Sequence, residues 1–249
     1  MDRFFKILSR ALAVLFVLSF AILAGFVAIV IPTSSRGFYK KQFLKPNEEG
    51  KTALYLVRRQ TYDISDIETA RFVIDMTEDE LVDVMMHAVR YCFYLEDDLN
   101  PTVDGYQMKL YREDEISHMQ DVKGVFGGGL IMVGVSLAVF ITGLCLALIK
   151  KKSYYLNCRK VPVYALIGVL LGLLAVGIFS LANFDFAFDA FHKIFFDGNW
   201  EFETGIMIEM IGYLFDDILP IILSVWLGLL AVFGVAIYFF NRFLKKKFK

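Results

Sequence analysis

Four long apolar runs constrain this chain more than any other feature of its sequence. They occupy residues 11–31, 125–149, 161–182 and 218–240. Each is long enough to supply the ~20 residues that a helix needs to cross the hydrocarbon core of a bilayer. Hydrophobic residues make up 57% of the chain, more than the roughly 45–50% of soluble domains. The sequence therefore predicts an α-helical polytopic membrane protein with four transmembrane helices.

The charges between these runs predict how the chain is oriented. The short segments 150–160 and 241–249 each carry five basic and no acidic residues. Because basic short loops stay in the cytoplasm, both segments and both termini are expected there. The connection 183–217, with eight acidic residues and one lysine, is expected outside. Segment 36–45 carries four basic residues on the outer side, but the first connection exceeds the ~60-residue range of the rule.

The first connection has the composition of a soluble domain, so the sequence divides into three parts. Residues 1–32 form the N-terminal tail and first transmembrane helix, and residues 33–123 form an extracytoplasmic cap. Residues 124–249 form the other three transmembrane helices, with an outer aromatic and acidic loop at 183–217. The cap is expected to be a small α+β domain. Thr77 and Glu80 have capping-box spacing, which predicts a helix to about Leu95, and 53–57, 72–74 and 106–111 are predicted strands.

An aromatic and acidic segment, NFDFAFDAFHKIFFDGNW at 183–200, follows the third run and contains one of three histidines. As a helix it would carry a phenylalanine stripe beside a polar stripe. The stripes consist of Phe184, Phe188, Phe191 and Phe195, and of Asp185, Asp189 and His192. Such a segment belongs at a membrane interface, where rings reach lipid and polar groups face water. We interpret it as the floor of an active site at the membrane surface.

A second histidine lies just before the second apolar run. Glu115, His118 and Asp121 recur every third residue and so share one face of a helix. Carboxylates beside an imidazole orient it and favour its protonated form. His118 and His192 would thus approach the same outer leaflet. A structural interpretation stays open, in which both histidines are interfacial residues and the aromatic rings are a membrane anchor.

Other patterns narrow the kinds of site that are expected. The sequence has no GxSxG, SxxK or HExxH motif, so no serine nucleophile or zinc-protease site is predicted. A metal site built from His118, Asp121, Asp189 and His192 is chemically possible, but the spacing is unspecific, so no metal or cofactor is expected. His87, the third histidine, is expected on a solvated helix face.

The two histidine segments resemble the lipoprotein intramolecular transacylase family, Lit, of bacterial integral membrane proteins. The resemblance is carried by E-x-x-H-M-x-D-V-K at 115–123 and by N-F-D-x-x-F-x-x-F-H-x-I-F-F at 183–196, with Trp200 just after. The four spans, the long first outer connection and the basic C-terminal tail also agree with that family. The resemblance therefore extends over essentially the whole chain.

The resemblance implies a bacterial cell-membrane acyltransferase. It would move the sn-2 acyl chain of an S-diacylglyceryl-cysteine lipoprotein onto that lipoprotein's own N-terminal α-amine, giving a lyso-form lipoprotein. It also implies catalysis by a histidine pair at the outer membrane face, here His118 and His192. The expected partners are the diacylglyceryl-modified lipoprotein and membrane lipid, with no nucleic acid and no cofactor.

Further residues are expected to support this chemistry. His192 would act as general base and His118 as hydrogen-bond donor or acid, although the two roles can be exchanged. The expected supporting residues are Glu115, Asp121, Asn183, Asp185 and Asp189, and the expected substrate-binding residues are Phe184, Phe188, Phe191, Phe195 and Trp200.

A competing hypothesis is a non-catalytic membrane module whose outer cap binds a peptide or partner protein. It predicts that the two histidines are dispensable and lie far apart. Transport is a weaker third hypothesis, because no span carries a charged pair near its centre or an interrupted helix.

Overall fold

The computed structural model describes residues 3–196, 198, 200–201, 204–212 and 214–248. The helices of this part are α1 (Arg3–Thr33), α2 (Arg36–Leu44), α3 (Ala53–Arg59), α4 (Ile67–Asp75), α5 (Glu78–Cys92), α6 (Glu113–Ile149), α7 (Lys151–Asn157), α8 (Val161–Ala182), α9 (Phe184–Phe195), α10 (Ile206–Ile211) and α11 (Phe215–Phe248). Strands β1 (Thr102–Val103) and β2 (Tyr106–Gln107) pair antiparallel. Helices α1, α6, α8 and α11 are long and apolar enough to cross a membrane, which confirms the four predicted spans.

The chain divides into two compact units, and the first contains most of the apolar helices. It consists of Met1–Ile29, Leu130–Ala187 and Ile222–Lys249. Its buried core includes Val17, Leu166 and Leu230, which come from α1, α8 and α11. The rings of Phe20 and Phe233 stack with their centroids 3.9 Å apart. Helices α1, α8 and α11 therefore pack on one another within this unit.

The second unit, Val30–Gly129 and Phe188–Ile221, contains the short helices. Its core includes Tyr39, Phe43, Leu81 and Met210, so α2, α5 and α10 share one apolar centre. Helix α5 begins with the predicted capping box, in which Thr77 and Glu80 bond each other's backbone N–H groups. The helix ends at Cys92, three residues before the predicted end.

The predicted strands in this unit are largely wrong. Segment 53–57 lies in α3 and segment 72–74 lies in α4. The Thr52 side chain accepts a hydrogen bond from the backbone N–H of Tyr55, and the Asp66 side chain accepts one from the backbone N–H of Thr69. Each therefore caps the start of a helix where the apolar pattern predicts a strand. Of segment 106–111, only Tyr106–Gln107 is a strand. Among its described residues the unit is therefore mostly helical, with one two-stranded ribbon rather than a larger sheet.

The expectation that His87 lies on a solvated face is also wrong. Only 12% of its side chain is exposed. Its Nε2 lies 2.8 Å from the carbonyl oxygen of Asp98, in the segment that follows α5. The segment around Asp98 thus covers His87, which helical spacing predicts to lie on the polar side of α5.

Candidate active site

His118 and His192 lie side by side within the second unit. His118 is in the first turns of α6, and His192 is near the end of α9. The centroids of the two imidazole rings are 6.2 Å apart and the ring planes differ by 22°. Both side chains are half-buried. The fold thus brings together two imidazoles from distant parts of the sequence and leaves each accessible.

The α9 backbone determines which nitrogen of His192 carries its proton. Nδ1 lies 2.7 Å from the carbonyl oxygen of Phe188, one helical turn earlier. Because a carbonyl oxygen can only accept a hydrogen bond, Nδ1 must be the donor. In the neutral ring, Nε2 is then the nitrogen that can accept a proton. The helix therefore leaves Nε2 of the neutral His192 ring as a hydrogen-bond acceptor.

Aromatic rings surround the two imidazoles. The ring of Phe188 lies 4.0 Å from that of His192, and the ring of Trp200 lies 5.8 Å from it, centroid to centroid. Phe196 contacts both histidines, at 4.8 Å from His118 and 5.3 Å from His192. A largely aromatic wall of this kind limits the access of water to the two imidazoles.

Phe196 is the site residue that sequence reasoning missed. It is 8% exposed, whereas Phe191 and Phe195, both in the predicted stripe, are 46% and 48% exposed. Phe196 follows His192 by four residues, so helical spacing would have placed it on the histidine's own face. The predicted phenylalanine stripe instead runs through Phe191 and Phe195. The exposed rings of Phe191 and Phe195 are available to lipid or substrate.

Glu115 ties the start of α6 to the start of α10. It is a buried carboxylate, 1% exposed, three residues before His118. Its Oε1 accepts the N–H of Met207 at 2.9 Å, and its Oε2 accepts the N–H of Arg112 at 3.0 Å. Gly205 packs so closely that an added Cβ would collide with Oε1 and lie 2.8 Å from Cδ. Glu115 thus holds the start of α10 beside the helix that carries His118.

The other predicted supporting residues are arranged differently. Asp189 pairs with Lys193, with 2.7 Å between Oδ2 and Nζ. Asp121 is exposed on α6. The remaining two supporting residues, Asn183 and Asp185, are exposed and belong to the first unit, as does Phe184, which was predicted to bind substrate. Asp197 and Asn199 of the same segment lie outside the described residues.

No group of three or more histidine, cysteine, aspartate or glutamate side chains among the described residues is placed to hold a metal ion.

The four helices of spanning length define the class of this protein, a helical integral membrane protein. The imidazoles of His118 and His192 lie side by side within one of its units. The family follows from the sequence as a whole. A family model described as lipoprotein intramolecular transacylase Lit matches residues 12–215, and the chain belongs to this family. The resemblance first found in the two histidine segments is thereby confirmed. No curated protein sequence gives a significant match.

Solved structures of a Bacillus cereus protein share the fold. The chain is similar to an in meso structure of the membrane integral lipoprotein intramolecular transacylase Lit from that organism, with a TM-score of 0.57 and 20% identity over 96% of this chain and 97% of that one. A form of that protein with a histidine-to-arginine mutation gives a TM-score of 0.59 and 19% identity over 98% and 95% of the two chains. A histidine-to-alanine form gives 0.58 and 18% over 98% and 96%.

Proposed function

We propose that this protein moves the sn-2 acyl chain of an S-diacylglyceryl-cysteine lipoprotein onto that lipoprotein's own N-terminal α-amine. The product is a lyso-form lipoprotein with an N-acyl group and a free sn-2 hydroxyl. Membership of the Lit family supports the reaction class. The observation that carries the residue assignment is the 6.2 Å separation of the His118 and His192 rings.

The first step is attack of the amine on the ester carbonyl. An α-amine has a pKa of about 8 and is largely protonated at neutral pH, so it must lose protons during the reaction. Nε2 of His192 is the proposed acceptor, because Nδ1 is committed to the carbonyl of Phe188. One proton passes from the ammonium to solvent before attack, and the new N–C bond forms as a second proton passes from the amine nitrogen to Nε2.

The second step is collapse of the tetrahedral intermediate. His118 would donate a hydrogen bond to the oxyanion and then a proton to the leaving glycerol oxygen as the C–O bond breaks. The proton gained by His192 balances the one given by His118, so the pair returns to its starting state through exchange with solvent. Exchange of the two histidines' roles would leave this balance unchanged.

No protein nucleophile is required, because the ester and the amine belong to one substrate molecule. Holding them in attack geometry can supply much of the rate acceleration. We assign this positioning to the apolar wall formed by Phe188, Phe196 and Trp200, with the exposed rings of Phe191 and Phe195 contacting acyl chains. In the proposed orientation the termini are cytoplasmic and the site opens to the outer leaflet.

The competing binding-module hypothesis makes a different prediction about the histidines. It expects them far apart and dispensable, whereas their rings lie 6.2 Å from each other. The short distance therefore favours the enzyme hypothesis. Activity measurements on variants of the two histidines distinguish it from the binding-module hypothesis.

The proposal is tested by mass spectrometry of lipoprotein N-termini in a bacterium that lacks lipoprotein N-acylation. We expect the wild-type protein to convert diacylglyceryl termini to the N-acyl, monoacylglyceryl form. His118→Gln and His192→Gln keep hydrogen-bonding capacity but cannot take up a proton at neutral pH. Each is expected to lower conversion by about 10²–10⁴-fold, as for loss of a general acid or base.

The matched control is His87→Gln, which makes the same change at a histidine outside the pair. Its conversion is expected to stay within a few-fold of wild type at equal membrane abundance. Wild-type protein that leaves the diacylglyceryl form unchanged would refute the reaction. Full activity in both site variants would instead refute the catalytic residues and leave the reaction standing.

A further inference from the structure

A basic cavity lies in the first unit, between the α7–α8 connection and the C-terminal end of α11. Its volume is about 900 Å³, and five cationic side chains line it, namely Arg159, Lys160, Arg242, Lys245 and Lys246. The sequence contains no aspartate or glutamate at 122–184 or 218–249, the two stretches that supply these walls. The positive charge of the cavity is therefore not neutralised by acidic side chains of its own helices.

Arg159 is held in place by its neighbours. Its Nη1 donates a hydrogen bond to the Tyr155 hydroxyl at 2.7 Å, and its guanidinium lies 4.8 Å from the centroid of that ring. Its carbonyl oxygen accepts a hydrogen bond from Asn241 Nδ2 at 2.9 Å, which joins the α7–α8 connection to α11. A guanidinium fixed in this way presents a planar set of donors that matches the oxygens of a phosphate group.

Asn241 lines the cavity beside these cations. Its Nδ2 is committed to the carbonyl oxygen of Arg159, and its Oδ1 is covered by the protein itself. The Asn241 amide therefore fixes the wall of the cavity, and the exposed cations are the groups that contact a ligand.

The remaining lining is characteristic of a membrane surface. Tyr164 and Tyr238 line the cavity and are 64% and 57% exposed, and Val163 beside them is 39% exposed. Tyrosine is enriched where transmembrane helices leave the hydrocarbon region. Helix α8 begins at Val161 and α11 ends at Phe248, so the cavity lies where two spanning-length helices terminate. A lipid can contact these aromatic and apolar side chains, whereas a free inorganic anion cannot gain from them.

We propose that this cavity binds the headgroup of an anionic phospholipid, with the cations contacting its phosphodiester. Basic pockets between transmembrane helices bind such headgroups, and attraction to anionic lipid grows with each Lys or Arg near the surface. The bound lipid would link α8 to α11 at their ends. This site is separate from the histidine pair, and the proposal does not depend on the transacylation reaction.

The test is native mass spectrometry of the full-length protein released from uncharged detergent micelles, with phosphatidylglycerol as the probe. The pocket variant replaces three exposed cations by glutamine: Arg242→Gln, Lys245→Gln and Lys246→Gln. The control variant loses the same charge outside the cavity: Lys151→Gln, Lys152→Gln and Lys247→Gln. We expect phosphatidylglycerol binding to weaken about tenfold or more in the pocket variant and to stay near wild type in the control.

Two further arms identify the ligand chemistry. Phosphatidylcholine, which has the phosphodiester but no net charge, is expected to bind wild type at least several-fold more weakly. Inorganic phosphate is expected not to displace the bound lipid. Equal binding to the pocket and control variants, equal binding of phosphatidylcholine, or displacement by inorganic phosphate would each overturn the proposal. If the triple variant does not fold, the single changes Arg242→Gln and Lys245→Gln carry the same expectation, scaled to one charge.

Discussion

Replacement of Gly205 by alanine tests how the site is anchored. Gly205 lies just before α10 with φ of 142° and ψ of 159°, a region of backbone space that is essentially restricted to glycine. It is buried, and its missing Cβ faces the carboxylate of Glu115. That carboxylate cannot easily move, because both of its oxygens accept backbone hydrogen bonds at the starts of α6 and α10.

The expected loss of stability follows from two separate effects. Forcing alanine into this backbone conformation costs about 1–3 kcal/mol. Placing its Cβ against the Glu115 carboxylate, with Cδ only 2.8 Å away, adds an overpacking cost of about 1–3 kcal/mol. The sum is about 2–6 kcal/mol. For a chain of this size each kcal/mol shifts Tm by roughly 2–4 °C, so Tm should fall by at least about 4 °C.

The assay is thermal unfolding in detergent, followed by tryptophan fluorescence at a fixed scan rate. Gly128→Ala is the control, because an added Cβ there meets nothing within 4 Å. It should leave Tm unchanged or raise it slightly, since alanine favours helix more than glycine does. A Gly205→Ala protein with a Tm within about 2 °C of both wild type and Gly128→Ala would refute the close packing of Gly205 on Glu115.

Three further predictions concern packing and ionisation. Gly143→Ala should lower Tm, at a cost of about 1–3 kcal/mol, because its Cβ would lie 2.8 Å from Cδ2 of Phe16. Gly134→Ala has open space around its Cβ and should leave Tm unchanged, and equal Tm values for the two variants would contradict the close contact between Gly143 and Phe16. Burial raises the pKa of the Cys92 thiol to about 11, so iodoacetamide at neutral pH should modify Cys92 only after denaturation, and labelling of the folded protein would refute this. Burial also raises the pKa of Glu209 above its usual value, so the folded state holds the proton more tightly and stability is lost as pH rises above about 4. Glu209→Gln should therefore have a higher Tm than wild type near neutral pH and no advantage in strong acid, whereas a pH-independent difference would rule out this explanation.

The spanning helices and the α5 helix start could be predicted because their causes are local. The capping box at Thr77 and Glu80 needs only residues three apart, and it is present in the structure. The segments at 53–57 and 72–74 were misassigned because short apolar runs suit strands and helices equally. The side-chain caps supplied by Thr52 and Asp66 decided for helix.

The candidate site was predictable in part. His118 and His192 stand out because each is a rare titratable residue beside an apolar run, and family motifs surround both. The role of Phe196 was missed because its contact with both imidazoles depends on where α9 ends and the chain turns. The backbone partners of Glu115 could not be foreseen either, since one of them, Met207, lies far along the sequence.

The sequence by itself determined the membrane-spanning architecture. In a bilayer each backbone N–H and C=O must be satisfied within its own helix, so length and hydropathy are sufficient to locate the spans. Only the tertiary structure decided that His118 and His192 lie 6.2 Å apart, and that Gly205 packs on the buried Glu115. These contacts join residues that the sequence separates by many tens of positions, and only the packing of the intervening helices and loops brings them together.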